Sequence, residues 1–143
     1  MILLDTNIVS EVMKPAPEGS VLQWLDHQET EELYLSTITI AEINFGIRVL
    51  PYGKRRHTLA DRFENFVAKG FDQRILSFDT KAAHLFAEIM GRRRELGRPM
   101  SFPDGQIAAI ARSHHFALAT RNVNDFKHCG IDILNPFEPK TSF

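Results

Sequence analysis

Short apolar runs alternate with longer periodic stretches along the chain. "MILL" (1–4) is continuous and apolar, the pattern of a short strand buried on both faces. "LYLS" (33–36), "RILSF" (74–78), "FALAT" (116–120) and "IDIL" (131–134) read as further strands. Between them the period changes. "EGSVLQWLDHQ" (18–28) places Val21, Leu22 and Leu25 at helical spacing. "TITIAEINFGIRVL" (37–50) carries Ile40, Ile43, Ile47 and Leu50 on one stripe, and "PYG" (51–53) turns the chain. "KRRHTLADRFENFVAKG" (54–70) predicts a helix with Leu59, Phe63, Phe66 and Val67 inward, ended by Gly70. "DTKAAHLFAEIMGRRRELG" (79–97) predicts a helix capped by Asp79, and "PDGQIAAIARSH" (103–114) another with Pro103 suited to its first turn. Repeated strand–helix alternation implies an α/β sandwich with a mostly parallel central sheet flanked by helices.

In open parallel sheets, ligands bind beyond the carboxyl ends of the strands. Asp5 follows the first strand there, and Thr120, Arg121 and Asn122 follow "FALA" in the same way. Composition narrows the chemistry. The length of 143 residues suits one domain over 1–143, large enough for a core without staples. Its one cysteine, Cys129, excludes an internal disulfide and any multi-cysteine zinc site. A formal net charge of −1 gives no overall basic field. Acidic residues Asp5 and Glu11 interrupt any leader-like apolar segment, and no apolar run approaches the ~20 residues of a membrane helix. A cytoplasmic protein is expected. Neither a dinucleotide fingerprint nor a phosphate-binding P-loop occurs, and there is no nucleophile elbow. Aspartyl phosphatases read D-x-D after the first strand, whereas this chain reads Asp5-Thr6-Asn7.

What remains is a set of carboxylates. Asp5 ends a strand, Glu42 lies early in the 37–50 helix, and Asp104 lies in the first turn of the 103–114 helix, all at one predicted edge of the sheet. Carboxylates brought together repel unless a cation or a proton neutralises them. Mg²⁺ takes oxygen ligands, keeps several waters, and suits two or three carboxylates. A structural reading competes at every position. Asp5 suits the cap of a helix starting at Thr6. Thr39–Glu42 and Ser101–Asp104 both fit a capping box.

The segments "MILLDTNIVSE", "LSTITIAEINFGI" (35–47), "FDTKAAHLFAEI" (78–89), "PDGQIAAIA" (103–111), "ALATRNVNDF" (117–126) and "NPF" (135–137) carry a resemblance across nearly the whole chain. In order and spacing the sequence resembles the PIN-domain toxin ribonucleases of the VapC type, in the branch similar to the FitB proteins. The resemblance implies a PIN-like three-layer sandwich and a Mg²⁺-dependent (or Mn²⁺-dependent) endoribonuclease, the toxin of a type II toxin–antitoxin pair. It places Asp5, Glu42 and Asp104 on the family's metal-binding acidic triad. Asn122 falls on a fourth, usually acidic, catalytic position and offers a carbonyl without charge; Asp125 is the alternative donor, or a cap of the turn "NVNDF". Thr120 is expected to hydrogen-bond a ligating carboxylate or a water, and Asn7 either to do likewise or to be a polar residue of a helix's first turn. The implied partners are RNA, a cognate antitoxin, a second copy in a homodimer, and operator DNA only through the antitoxin.

Two basic runs, "GKRRH" (53–57) and "GRRRELGR" (91–98), are either solvated helix faces or phosphate tracks for RNA. The eleven phenylalanines suit a core and a dimer interface, and Trp24 a partly buried anchor. Two other classes of function remain open: a non-catalytic PIN-like RNA-binding or assembly module, and a phospho-acceptor or phosphatase domain using Asp5.

Overall fold

Successive strand residues face opposite sides of a sheet, and the first strand divides the core in this way. In the computed structural model, which describes residues 1–138, β1 is Ile2–Leu4. Ile2 and Leu4 enter one apolar cluster and Leu3 the other. Four more strands complete one sheet: β2 Leu33–Ser36, β3 Ile75–Leu76, β4 Ala117–Ala119 and β5 Ile133–Leu134. Their order is β3-β2-β1-β4-β5, and every neighbouring pair is parallel. Ile2 lies opposite both Leu33 and Ala117, which makes β1 central.

Six helices cover the two faces: α1 Thr6–Val12, α2 Gly19–Asp26, α3 Thr37–Arg48, α4 Lys54–Gly70, α5 Thr80–Glu95 and α6 Phe102–His114. Residues of α1 to α4 (Ile8, Val9, Val21, Ile43, Phe63) pack with Ile2 and Leu4, and Trp24 leans half-buried on this cluster. The other face holds α5 and α6, with Ala82, Ile89 and Ile107 to Ala111 beside Leu3 and Leu118. The expected three-layer α/β sandwich is therefore present, with a sheet that is parallel throughout.

Local chemistry explains the starts of the helices. Asp79 Oδ1 accepts from Ala82 N at 2.9 Å and Ser101 Oγ from Asp104 N at 3.3 Å, the N-cap bonds of α5 and α6. Gly105 is required by packing. A Cβ there would stand 2.5 Å from Met90 Sδ and 3.0 Å from Phe86 Cε2, so the absent side chain lets α6 sit closely on α5.

Several elements differ from their sequence patterns. The runs 74–78, 116–120 and 131–134 narrow to the few residues that a neighbouring strand can pair. Arg74, inside the first of these, turns its guanidinium onto the carbonyls of Thr30, Leu33 and Gly70. Helix α1, signalled in the sequence only by a cap at Asp5, starts at Thr6 and runs for seven residues, too few for a clear period. The arginine run of α5 divides. Arg93 is buried, with Nη1 donating to Lys127 O at 2.6 Å, so it belongs to the core; Arg92 and Arg94 are exposed. Of the phenylalanines, Phe63, Phe71 and Phe126 are buried, whereas Phe45 and Phe102 face solvent. Among the described residues no helix is long and apolar enough to cross a membrane.

Candidate active site

Strand order reverses direction between β1 and β4, and the chain leaves both strands at the same edge. That crevice is where an open parallel sheet binds ligands. Asp5 and Thr120 are the first residues beyond the two strands. Asp5 N donates to Ala119 O at 2.9 Å, which closes the ladder, and the carboxylate is only 3% exposed. Its Oδ1 accepts from Thr6 N at 2.8 Å. Its Oδ2 accepts from Thr120 Oγ1 at 2.7 Å and Asn7 Nδ2 at 3.3 Å. Asp5 thus caps α1 and also turns a carboxylate toward the crevice. The bonds expected from Thr120 and Asn7 are both present.

Glu42 arrives from α3. The cap of that helix is Ser36, whose Oγ accepts from Thr39 N at 3.1 Å. The capping box read over Thr39–Glu42 is therefore displaced by three residues. The chain can start the helix as soon as β2 ends, and Ser36 is the first hydroxyl available. Glu42 lies beyond the first turn and is free of capping. Its Oε1 instead accepts from Thr6 Oγ1 at 2.8 Å, and Thr6 Oγ1 lies 3.0 Å from the buried Thr39 Oγ1. Neutral hydroxyls from two helices thus hold Glu42 without neutralising it. Asp104 stands in the first turn of α6, half-buried, on the helix that Ser101 caps.

Asp5, Glu42, Asp104 and Asn122 line one cleft of about 340 Å³. Burial, joined by the charges of Asp104 and Glu42, pushes the Asp5 carboxyl from its ordinary 3.8 up to about 6, against the opposing bonds from Thr120 and Thr6. Asp104 is raised as well, by burial first and then by the charges of Asp125 and Glu42, with the Ser101 bond opposing. Mutual repulsion is therefore present in the cleft. Asn122 N donates to Thr120 Oγ1 at 3.0 Å, and the residue lines the cleft. Asp125 does not cap the turn after Asn122. It is the third residue of the 3₁₀ turn Val123–Phe126, and its N donates to Asn122 O. Its charge is felt at Asp104 but it does not line the cleft.

Among the described residues no three His, Cys, Asp or Glu side chains stand close enough to clasp an ion directly. The donor set is three carboxylates and an amide side chain around a cleft with room for an ion and several waters. It fits a hard cation that keeps several of its own waters between itself and the protein.

Arg121, placed by the sequence at the carboxyl end of β4, lines the cleft, and sequence reasoning passed over the rest of its wall: Ser10, Glu11, Lys14 and Phe137. Glu11 is 4% exposed, and the bond from Lys14 Nζ at 3.0 Å lowers its carboxyl pKa below the ordinary value. Its partner, three residues on, was the one available signal. Beside this cleft runs a larger, mainly apolar one of about 760 Å³, floored by Ile43, Ile47, Leu50 and Leu59 and edged by Lys54, Arg55 and Arg62. The two share Thr6, Ser10, Lys14 and Glu42.

A parallel α/β sandwich with carboxylates lining the crevice at its topological switch point defines a class of α/β domains with an acidic cleft. Comparison makes the class specific. The sequence profile of the PIN domain matches residues 2–131. The chain is 44% identical over 139 residues to "VapC ribonuclease Y4jK" of Sinorhizobium fredii, covering 97% of this chain and 99% of that protein. It is 39% identical over 137 residues to "Toxin FitB" of Neisseria gonorrhoeae, covering 96% and 99%. A solved structure described as FitAB bound to an IR36 DNA fragment superposes with a TM-score of 0.93 at 37% identity, over 100% of both chains. The chain belongs to the PIN-domain family, in its VapC and FitB toxin branch.

Proposed function

We infer that this protein is a Mg²⁺-dependent endoribonuclease, the toxin of a toxin–antitoxin pair acting in the cytoplasm. The observation that carries the reading is the buried, hydrogen-bonded Asp5 facing Glu42 and Asp104 in one cleft at the switch point. The names of the relatives, a VapC ribonuclease and a FitB toxin, support the substrate and the biological role. Asp5, Glu42 and Asp104 would hold the cation, and the carbonyl of Asn122 would orient water beside it. When bound, Mg²⁺ supplies the positive charge that offsets the carboxylates, acidifies a water and stabilises the attacked phosphate. The rest belongs to the chain. Thr120 and Asn7 fix the rotamer of Asp5, and Thr6 fixes that of Glu42. Asp5, largely out of water, would attract the cation more strongly than a solvated carboxylate.

The apolar cleft edged by basic residues and opening at Glu42 supports an antitoxin segment lying across it, with operator DNA reached only through that antitoxin. The exposed Phe45 and Val49, one turn apart on the side of α3, support a homodimer.

Purified protein free of antitoxin, incubated with total RNA, tests the activity. Cleavage is expected with Mg²⁺ or Mn²⁺ and its loss in excess EDTA. Ca²⁺ should support little turnover, because its larger and looser shell orients water less well. Full cleavage in EDTA would remove the metal from the reading. Metal-dependent binding without any cleavage would favour a non-catalytic RNA-binding module.

A further inference from the structure

RNA approaching this cleft meets carboxylates first. A polyanion needs cations at the rim, and the two that line the cleft are Lys14 and Arg121. Lys14 is already engaged, with its Nζ 3.0 Å from Glu11 Oε1. Arg121 makes no ion pair among the described residues. Its guanidinium carbon instead lies 4.7 Å from the centroid of the Phe137 ring. That contact needs none of the guanidinium's N–H donors, and none of them makes a hydrogen bond among the described residues.

Both partners of the stack are anchored. Arg121 N donates to Asn7 Oδ1 at 3.2 Å, and Asn7 donates in turn to Asp5 Oδ2. Phe137 N donates to Asn135 Oδ1 at 3.0 Å, and Phe137 O accepts from Ser20 Oγ of α2 at 3.2 Å. The chain after β5 is thus strapped to α2 so that an aromatic ring stands on the cleft rim under an exposed arginine. Arg121 acts on Glu11 only from beyond ion-pair distance, so neutralising that acid does not account for the arrangement.

The geometry points to Arg121 as an RNA-gripping residue, its guanidinium binding a backbone phosphate beside the one cleaved, with Phe137 as the positioning residue that holds it there. A planar fork with open in-plane donors matches a phosphate bidentately, which a lysine cannot do. This rests on the ribonuclease reading above and adds a binding residue to it.

The test measures binding of a fluorescein-labelled single-stranded oligoribonucleotide by the full chain in EDTA, by anisotropy over a range of salt. Arg121→Ala is expected to weaken binding about tenfold and to reduce the slope of log Kd against log salt by about 0.7. Arg121→Lys should restore the slope but not the full affinity. Phe137→Leu should weaken binding with the slope kept, and Phe137→Trp should bind like the parent. In Mg²⁺-supported cleavage, Arg121→Ala should raise KM far more than it lowers kcat. Melting temperatures equal to the parent's exclude unfolding, and Arg121→Gln serves as the second variant. Unchanged affinity and slope in Arg121→Ala overturn the proposal, and unchanged affinity in Phe137→Leu overturns the role of the ring. Arg121-dependent binding without cleavage leaves the grip standing and removes the ribonuclease reading. Cleavage with a KM indifferent to Arg121 does the reverse, and no RNA binding by the parent overturns both.

Discussion

Burial sets Asp5 apart from the other two acids. Glu42 is exposed and Asp104 half-buried, while Asp5 titrates near 6 in the metal-free protein because water has been removed around it. A carboxyl raised on folding binds its proton more tightly in the native state, so folding is favoured at low pH and loses stability as pH rises. The metal-free protein should therefore become less stable between about pH 4 and pH 6, by up to about 3 kcal/mol. Denaturant melts in EDTA across that range check this, and Asp5→Asn should flatten the profile. The amide variants Asp5→Asn, Glu42→Gln and Asp104→Asn separate structure from chemistry. Glu42 caps nothing, so Glu42→Gln and Asp104→Asn should hold or raise metal-free stability, whereas Asp5→Asn sets an amide NH2 against donors that both Asp5 oxygens now accept and should cost about 1–3 kcal/mol. RNA cleavage should fall by orders of magnitude in each. Retained cleavage in all three would leave Asp5 as a helix cap and no more. At this scale the acids were legible because each sits at a patterned boundary of an element. Arg121 was legible in its place at the end of β4 but not in its contacts, since Asn7 and Phe137 come from chain segments far apart in sequence.

Helices with several turns of periodic sequence were readable to within a few residues, and short elements were not. Helix α1 spans seven residues, of which Ile8, Val9 and Glu11 are buried, too brief a stretch to show a period. The edge strands keep two residues each because pairing, not apolar length, sets where a strand ends. The arginine run of α5 shows the limit most clearly. Three adjacent arginines look alike in sequence, yet a helix turns each about 100° from the next, and Arg93 alone faces the core. Arg93→Ala should lower stability by roughly 1–3 kcal/mol, since it strips the Lys127 carbonyl of its donor and opens a gap. Arg92→Ala and Arg94→Ala should each stay within about 0.5 kcal/mol. Equal melts for all three would return the whole run to the solvated surface.

For the whole molecule, alternation of strands and helices specified a parallel sandwich but not the order of its strands. That order depends on which faces are covered. β1 becomes central because helices bury both its Ile2/Leu4 and its Leu3 sides. The crevice follows from the order, and so does the meeting of residues 5 and 120. Assembly is the property decided at this scale. Phe45, 69% exposed, and Val49, 63% exposed, lie on the outer side of α3, an apolar pair that a second copy would cover. Phe45→Glu should yield a monomer by light scattering where the parent is a dimer. A parent that is monomeric at high micromolar concentration would remove the dimer from the reading.

The two-residue strands at the sheet's borders have a consequence for crowding. A long bare edge is a template on which another molecule's backbone can add, the usual beginning of amyloid-like growth. Here β3 and β5 offer almost no ladder, and the guanidinium of Arg74 already occupies carbonyls beside β3. Edge-to-edge growth of the sheet thus has only a two-residue ladder to start from on either flank.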